Sequence, residues 1–324
     1  MAAEHLNRMR VMLEGQEGHS YADILRVACA SEKLGFNGMF RSDHWLPIMG
    51  DRQIEATDAW ATLAGLARDT SGIRFGALVS PMTFRHPSEL AKQAATIDQM
   101  SGGRVEVGFG AGWYEGEHDA YGIPFPPLKE RFDRLEESLE VCTALWRAAE
   151  SATFKGRYYS LDNAPGRPKP IQQPLPVIIG GRGAKRTPDL TARFAAEYNT
   201  GGAIPEWSER RARVVAACER IGRDPSSIVY SWMTATVVGL TEADAWKEAE
   251  RRFRHGGRTG DVRAWVAEQH QAGGMLFGSA EQAAEKLSAA LAAGATRWYL
   301  QIVPSPGDEL LEMIAKEIAP KIRA

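Results

Sequence analysis

The sequence is short of cysteine, of charge imbalance and of long apolar runs, and each shortage removes a class of protein. Its three cysteines, Cys29, Cys142 and Cys218, stand at unrelated spacings inside helix-like patterns. They offer neither a disulfide framework nor a CxxC metal site, and a reducing compartment suits them. Thirty-nine basic residues against 41 acidic ones leave a net charge of −2. That is neither the basic excess of a nucleic-acid binder nor the acidic tract of a disordered tail. No apolar run reaches the roughly 18 residues of a membrane span, and the opening stretch MAAEHLNRMRVML has no signal-peptide core. The expectation is a cytoplasmic chain with a small-molecule substrate, no nucleic acid and no membrane.

What is present is a folding pattern. The 324 residues are 44% apolar, ample for a sizeable core. Short apolar runs alternate with stretches of helical period, the order of βα units. Eight strands are expected, at 8–14, 37–42, 73–80, 104–112, 176–181, 197–202, 227–238 and 297–303. The best helix, 128–146, carries Leu128, Phe132, Leu135, Leu139, Cys142 and Trp146 as one stripe, read as a packing surface. Eight parallel strands with crossover helices close into an α/β TIM (β/α)8 barrel, here one domain over 1–324. Two stretches break the repeat and are read as insertions. Residues 151–174 are rich in Pro, Gly and aromatics, and 242–279 are helical but too polar for the interior. At the C-terminal face of a barrel, such insertions become lids or binding walls.

Polar residues gather where strands end. GFNGMFRSDHW closes strand two on Asp43, His44 and Trp45. Such a pair can be structural, Asp43 capping the next segment and His44 satisfying a carbonyl, but its place on the catalytic face favours a functional role. Strand four, GFGAGWYEGEH, alternates Gly108, Gly110 and Gly112. That bares one side of the backbone to a flat ligand, or else permits tight strand packing with no ligand. Strand five runs through IIGGRGAKRTPDL, where Gly180, Gly181 and Gly183 lead into a helix with Arg182, Lys185 and Arg186 about its start. Bare amides, a helix N-terminus and guanidinium groups make a phosphate site; a plain turn with a solvated basic face is the alternative.

In order, GFNGMFRSDHW, the run from FGALVSPMTFRHP through GFGAGWYEGEHDAYGIPFPP to LEVCTALW, FKGRYYSLDNAPGRPKPIQQPLPVIIGGRGAKRT and ARFAAEYN resemble the luciferase-like monooxygenase superfamily of flavin and deazaflavin barrels. Within it they look like the coenzyme F-420-dependent branch, over roughly residues 35–200. The resemblance implies a bacterial-luciferase-like barrel and a homodimer. It places a ring across the barrel mouth, bordered by Asp43 and His44 with Trp45 alongside, and makes His44 the residue supporting proton or hydride chemistry. It also implies a non-prolyl cis peptide at Leu78-Val79 behind the ring. Gly110, Ala111 and Gly112 would flank the ring or its ribityl chain, and Gly180, Gly181, Arg182 and Gly183 would hold the phosphate. One departure matters. Sugar-phosphate dehydrogenases of this superfamily carry an acid just after the strand-four glycines, where this chain has Trp113. The nearest acids are Glu115, taken as the candidate, and Glu117, with His118 close by. Glucose-6-phosphate becomes a doubtful substrate, and a flatter or more apolar one is favoured.

The function expected is hydride transfer between coenzyme F-420 and a small organic substrate. The alternatives are a two-component monooxygenase using FMN delivered reduced by a partner, and a flavin-binding protein without turnover. RRFRHGGR (251–258) with Arg210, Arg211 and Arg213 forms either a solvated face or a rim for the acidic tail of F-420. No metal is assigned. Asp43-His44 and Glu117-His118-Asp119 offer ligands, but strands five, seven and eight add none.

Overall fold

Strands and helices alternate through the computed structural model, which describes residues 2–49, 51–303 and 307–323. The strands are β1 (Met9–Leu13), β2 (Gly38–Arg41), β3 (Arg74–Pro81), β4 (Val105–Gly110), β5 (Ser151–Lys155), β6 (Ser160–Pro165), β7 (Val177–Gly180), β8 (Glu197–Gly201), β9 (Val229–Gly239), β10 (Met275–Ser279) and β11 (Arg297–Ile302). Eight of them, β1-β2-β3-β4-β7-β8-β9-β11, pair in parallel, and β11 returns to β1. This closed TIM barrel is the architecture the alternating pattern implies, with every expected barrel strand in place. Local chemistry sets the helix ends. Ser20 and Asp23 form a capping box at the start of Tyr21–Leu34, and Gly35 ends that helix at φ 87°. Pro87 occupies the first turn of Pro87–Ser101, where its missing N–H costs nothing.

The two irregular stretches hold structure that the sequence pattern does not announce. β5 and β6 make an antiparallel hairpin whose Ala152 and Leu161 pack on Val141 of helix Leu128–Arg147. Residues 242–279 supply helices Glu242–His255 and Val262–Gln271, but then the strand β10, so the all-helical expectation there is corrected. β10 is a run of five residues behind the Gly273-Gly274 turn. The N–H groups of Val229 and Ala235 donate to Ala196 and Gly274, whereas the carbonyl of Tyr230 accepts from Thr296. Residues of one parity along a parallel strand bond to one neighbour, so β10 continues the β8 edge of β9 beyond Gly201. It extends the sheet at that side of the barrel mouth.

Inside the barrel, charge lies below and apolar surface above. Arg10 donates two hydrogen bonds of 2.7 Å to Glu106 and one of 2.7 Å to the Tyr299 hydroxyl. Arg74 also pairs with Glu106, and Arg297 with Glu197. Each buried carboxylate thus has a guanidinium partner, as its desolvation requires. Met12, Phe40, Leu78, Ile178 and Tyr299 pack over this cluster as an apolar floor. Among the described residues no helix is long and apolar enough to cross a membrane.

Candidate active site

Above the floor lies a cavity of about 900 Å³ at the C-terminal ends of the strands. His44, the third residue after β2, lines it. Its Nδ1 is 3.0 Å from Glu117 Oε1, and Glu117 Oε2 accepts the Trp45 N–H at 3.0 Å. Glu117 is 2% exposed, on the short helix Glu115–Tyr121. A carboxylate here can only accept, so Nδ1 bears the hydrogen and neutral His44 keeps its lone pair on Nε2. Burial alone would lower the imidazole pKa; the hydrogen bond and charge of Glu117 outweigh it and raise the pKa above the usual 6.5. Trp113, 62% exposed at the rim, makes a T-shaped ring contact with His44, centroids 5.6 Å apart.

Three of the expected site residues are placed otherwise. Asp43 is buried outside the cavity wall. Its carboxylate accepts two hydrogen bonds from Arg85, at 2.6 and 3.1 Å, and one from Ser80 at 2.7 Å, tying the end of β2 to β3. The role of orienting the imidazole falls to Glu117 instead. Trp45 packs on Phe84 and Tyr121, ring centroids 4.7 and 5.5 Å away, and takes no part in the wall. Glu115 is exposed at the start of the helix that carries Glu117. Two residues are about 200° around a helix, so when Glu117 faces His44, Glu115 faces away.

The peptide Leu78-Val79 is cis, and both residues line the cavity. Beside it the β3–β4 register shifts between Ala77 and Ser80. Val79 and its neighbours explain the strand-four glycines: a Cβ on Gly108 would lie 2.2 Å from the Ala77 carbonyl oxygen, and one on Gly112, at φ 75°, 2.7 Å from Thr83 Oγ1. The Cβ on Gly108 would also lie 2.8 Å from Val79 Cγ1, one on Gly110 2.6 Å from Cγ2, and one on Gly180 3.0 Å from Cγ1. The bare side of β4 is therefore filled from β3, the tight-packing alternative. Gly110, Ala111 and Gly112 still border the cavity.

Across the mouth, Gly180, Gly181, Arg182 and Gly183 line the wall with Thr187. Gly181 has φ 152°, and its N–H is spent on Asn199 O, whereas the amides of Arg182 and Gly183 have no partner among the described residues. Arg186 is not part of the site, since it pairs with Asp133 and Glu136. Arg182 makes no ion pair among the described residues. The helical stripe also needs correction, because Leu128, Phe132 and Leu135 reach the cavity and only its later members are purely core. Of the wall made by Arg252, Arg258, Trp265 and Gln269, the sequence offered the two arginines only within RRFRHGGR, as a solvated face or a rim, and left out Trp265 and Gln269.

Comparison with known proteins places this geometry. The model of the luciferase-like monooxygenase family matches residues 5–297. An F420-dependent glucose-6-phosphate dehydrogenase of Microbacterium testaceum is 36% identical over 186 residues, 57% of this chain and 54% of that protein. The pyrimidine monooxygenase RutA of Cronobacter sakazakii is 30% identical over 246 residues, 73% of this chain and 66% of that one. The chain spans about half the length of the glucose-6-phosphate dehydrogenases it matches. Among solved structures, an F420-dependent secondary alcohol dehydrogenase in complex with an F420-acetone adduct superposes with TM-score 0.83 at 22% identity, covering 98% of this chain and 99% of that one. That likeness is one of fold.

Proposed function

We propose that this chain, which belongs to the luciferase-like monooxygenase family, is a coenzyme F-420-dependent oxidoreductase that transfers a hydride between the deazaflavin and a small organic substrate. The observation that carries it is His44, held by Glu117 at the wall of an apolar-floored cavity. The residues present fit the cofactor. Leu78 and Val79 offer a flat apolar backing, and the 180–183 turn offers free amides and Arg182 to a phosphate. The F420-dependent relatives support the same choice. When bound, the deazaflavin supplies the carbon that accepts or gives the hydride. In the oxidising direction, His44 Nε2 takes the hydroxyl proton of the substrate and Glu117 stabilises the imidazolium; in reduction the same proton returns. Ile48, Met49 and Trp113 form an apolar rim that limits water. A homodimer in a reducing cytoplasm belongs to this reading, and the three free cysteines support the compartment.

Titration of the protein with oxidised F-420 and with FMN, followed by absorption, is expected to give tighter binding of F-420. Tighter FMN binding with reductase-coupled oxygen uptake would favour the monooxygenase instead, which the longer match to RutA supports. Cofactor binding without substrate-dependent redox change would leave a flavin-binding protein.

The glycine turn has its own test. Gly181→Asp places a carboxylate beside the free amides, so F-420 affinity should fall about tenfold or more, roughly 1.4 kcal/mol. At φ 152° any side chain is strained. Gly181→Ala carries that strain without the charge, and the difference between the two variants isolates repulsion of the phosphate. Equal affinities for the two variants would put the phosphate elsewhere.

A further inference from the structure

Buried guanidinium groups elsewhere in this protein have either carboxylate partners or a full set of hydrogen bonds. Arg10 and Arg85 are paired with carboxylates. Arg41 and Arg104 have none, but each makes five hydrogen bonds to carbonyls and hydroxyls. Arg252 is the exception. It is 5% exposed and lines the cavity, yet it bonds only to the Gln301 carbonyl and side chain, at 3.0 and 3.1 Å. With five N–H donors on a guanidinium, three are left without a protein partner among the described residues.

Its surroundings extend the pattern. Arg258 also lines the cavity and makes no ion pair among the described residues; its guanidinium lies 5.8 Å from the Trp265 ring centroid. The Trp265 indole N–H, on another residue of the same wall, is buried without an acceptor among the described residues. Glu14 and Glu17, the acids of the wall, are engaged elsewhere. Glu14 accepts from Gln16 and Gln301, and Glu17 from the Ile48 and Met49 N–H groups. Burial pulls the Arg252 pKa down, and the nearby charges of Glu14 and Glu248 offset that only in part.

The geometry points to Arg252, with Arg258 beside it, as the docking point for a carboxylate or phosphate group of the substrate, making that substrate a small organic anion. Gln301, next to last in β11, holds Arg252 at that strand, and β11 stands three strands from β7 and two from β2 in the ring of eight. In strand order the anion at Arg252 therefore stands nearer to His44, just past β2, than to the 180–183 turn after β7. This assignment rests on the cofactor placement above. It replaces a purely apolar substrate with one whose charged end meets Arg252 while its apolar body meets Ile48 and Trp113.

Inorganic phosphate is the probe, titrated calorimetrically into the F-420-loaded protein. The loaded wild type should bind it, and Arg252→Gln should weaken that binding about tenfold or more. F-420 affinity should stay within about threefold, and Arg252→Lys should retain part of the phosphate affinity because it keeps the charge but loses the fork. Arg258→Gln, on an exposed residue that cannot compromise folding, should weaken phosphate as well. Unchanged phosphate binding in both glutamine variants overturns the site. So does a matching loss of F-420 affinity in Arg252→Gln, or abolition of phosphate binding by F-420 itself, since either gives the cation to the cofactor's acidic tail. Should wild type fail to bind F-420, the functional reading falls alone. Weaker phosphate binding by cofactor-free Arg252→Gln than by wild type would still support the anion site.

Discussion

Asp43→Ala should cost about 3 kcal/mol of folding stability and leave the folded fraction turning over at close to the wild-type rate. The Asp43 carboxylate is fully buried and takes both Arg85 bonds and the Ser80 hydroxyl. Removing it strands a guanidinium that is itself only 9% exposed. Asp58, the other partner of Arg85 at 2.7 Å, keeps the loss at the lower end of what breaking a buried pair costs. Ser80 also loses its acceptor while still receiving the Trp60 indole N–H at 2.9 Å, so the contact between the ends of β2 and β3 loosens as a unit. Asp43→Asn should lose less, since one oxygen remains for Arg85 or Ser80. Denaturant unfolding and single-turnover rates on the same samples check it. Full stability with a large loss of rate would return Asp43 to the chemistry.

Asp43 and His44 show where the sequence was legible and where it was not. Their position at a strand end on the catalytic face followed from the βα rhythm alone. Their separate fates did not, because neighbours along an extended segment point to opposite sides. His44 enters the cavity while Asp43 turns to Arg85, a partner 42 residues on. The same limit governs the acids. Either Glu115 or Glu117 could have met the imidazole, and only the phase of a seven-residue helix selects the second. The β4 glycines were visible as bare backbone, but what meets them, the Ala77 carbonyl, Val79 and Thr83, arrives from β3 and the loop after it. β10 was hidden because three apolar residues, Met275, Leu276 and Phe277, behind a polar helix do not make a period. The run RRFRHGGR announced a basic stretch but not that Arg252 alone of its arginines is buried, since an unsatisfied donor is a fact of three dimensions.

His44→Ala should lower turnover by about 10² or more and leave F-420 affinity within a few-fold, the scale of a lost acid-base group. His44→Asn should be nearly as slow, because an amide hydrogen-bonds but exchanges no proton near neutrality. Glu117→Gln separates the base from its support. The amide can still meet Nδ1, but the negative charge that holds the imidazole pKa above 6.5 is gone, and burial then draws that pKa down. In the oxidising direction the neutral imidazole is the active form. The wild-type rate should therefore rise with pH through an apparent pKa above 6.5, and in Glu117→Gln that limb should move to lower pH. Its plateau should be lower as well, since the imidazolium formed in the reaction loses its counterion. Stability carries the same signature with a definite sign. A folded-state pKa raised above 6.5 means that the His44–Glu117 pair stabilises fully below that pH and loses its contribution as pH rises through the folded value. The deficit of Glu117→Gln should accordingly be larger in mild acid than in mild alkali. A merely structural carboxylate would cost stability without displacing the rate limb. A limb that stays in place in Glu117→Gln would sever the carboxylate from the chemistry, and a His44→Ala enzyme with wild-type turnover would remove the imidazole from it.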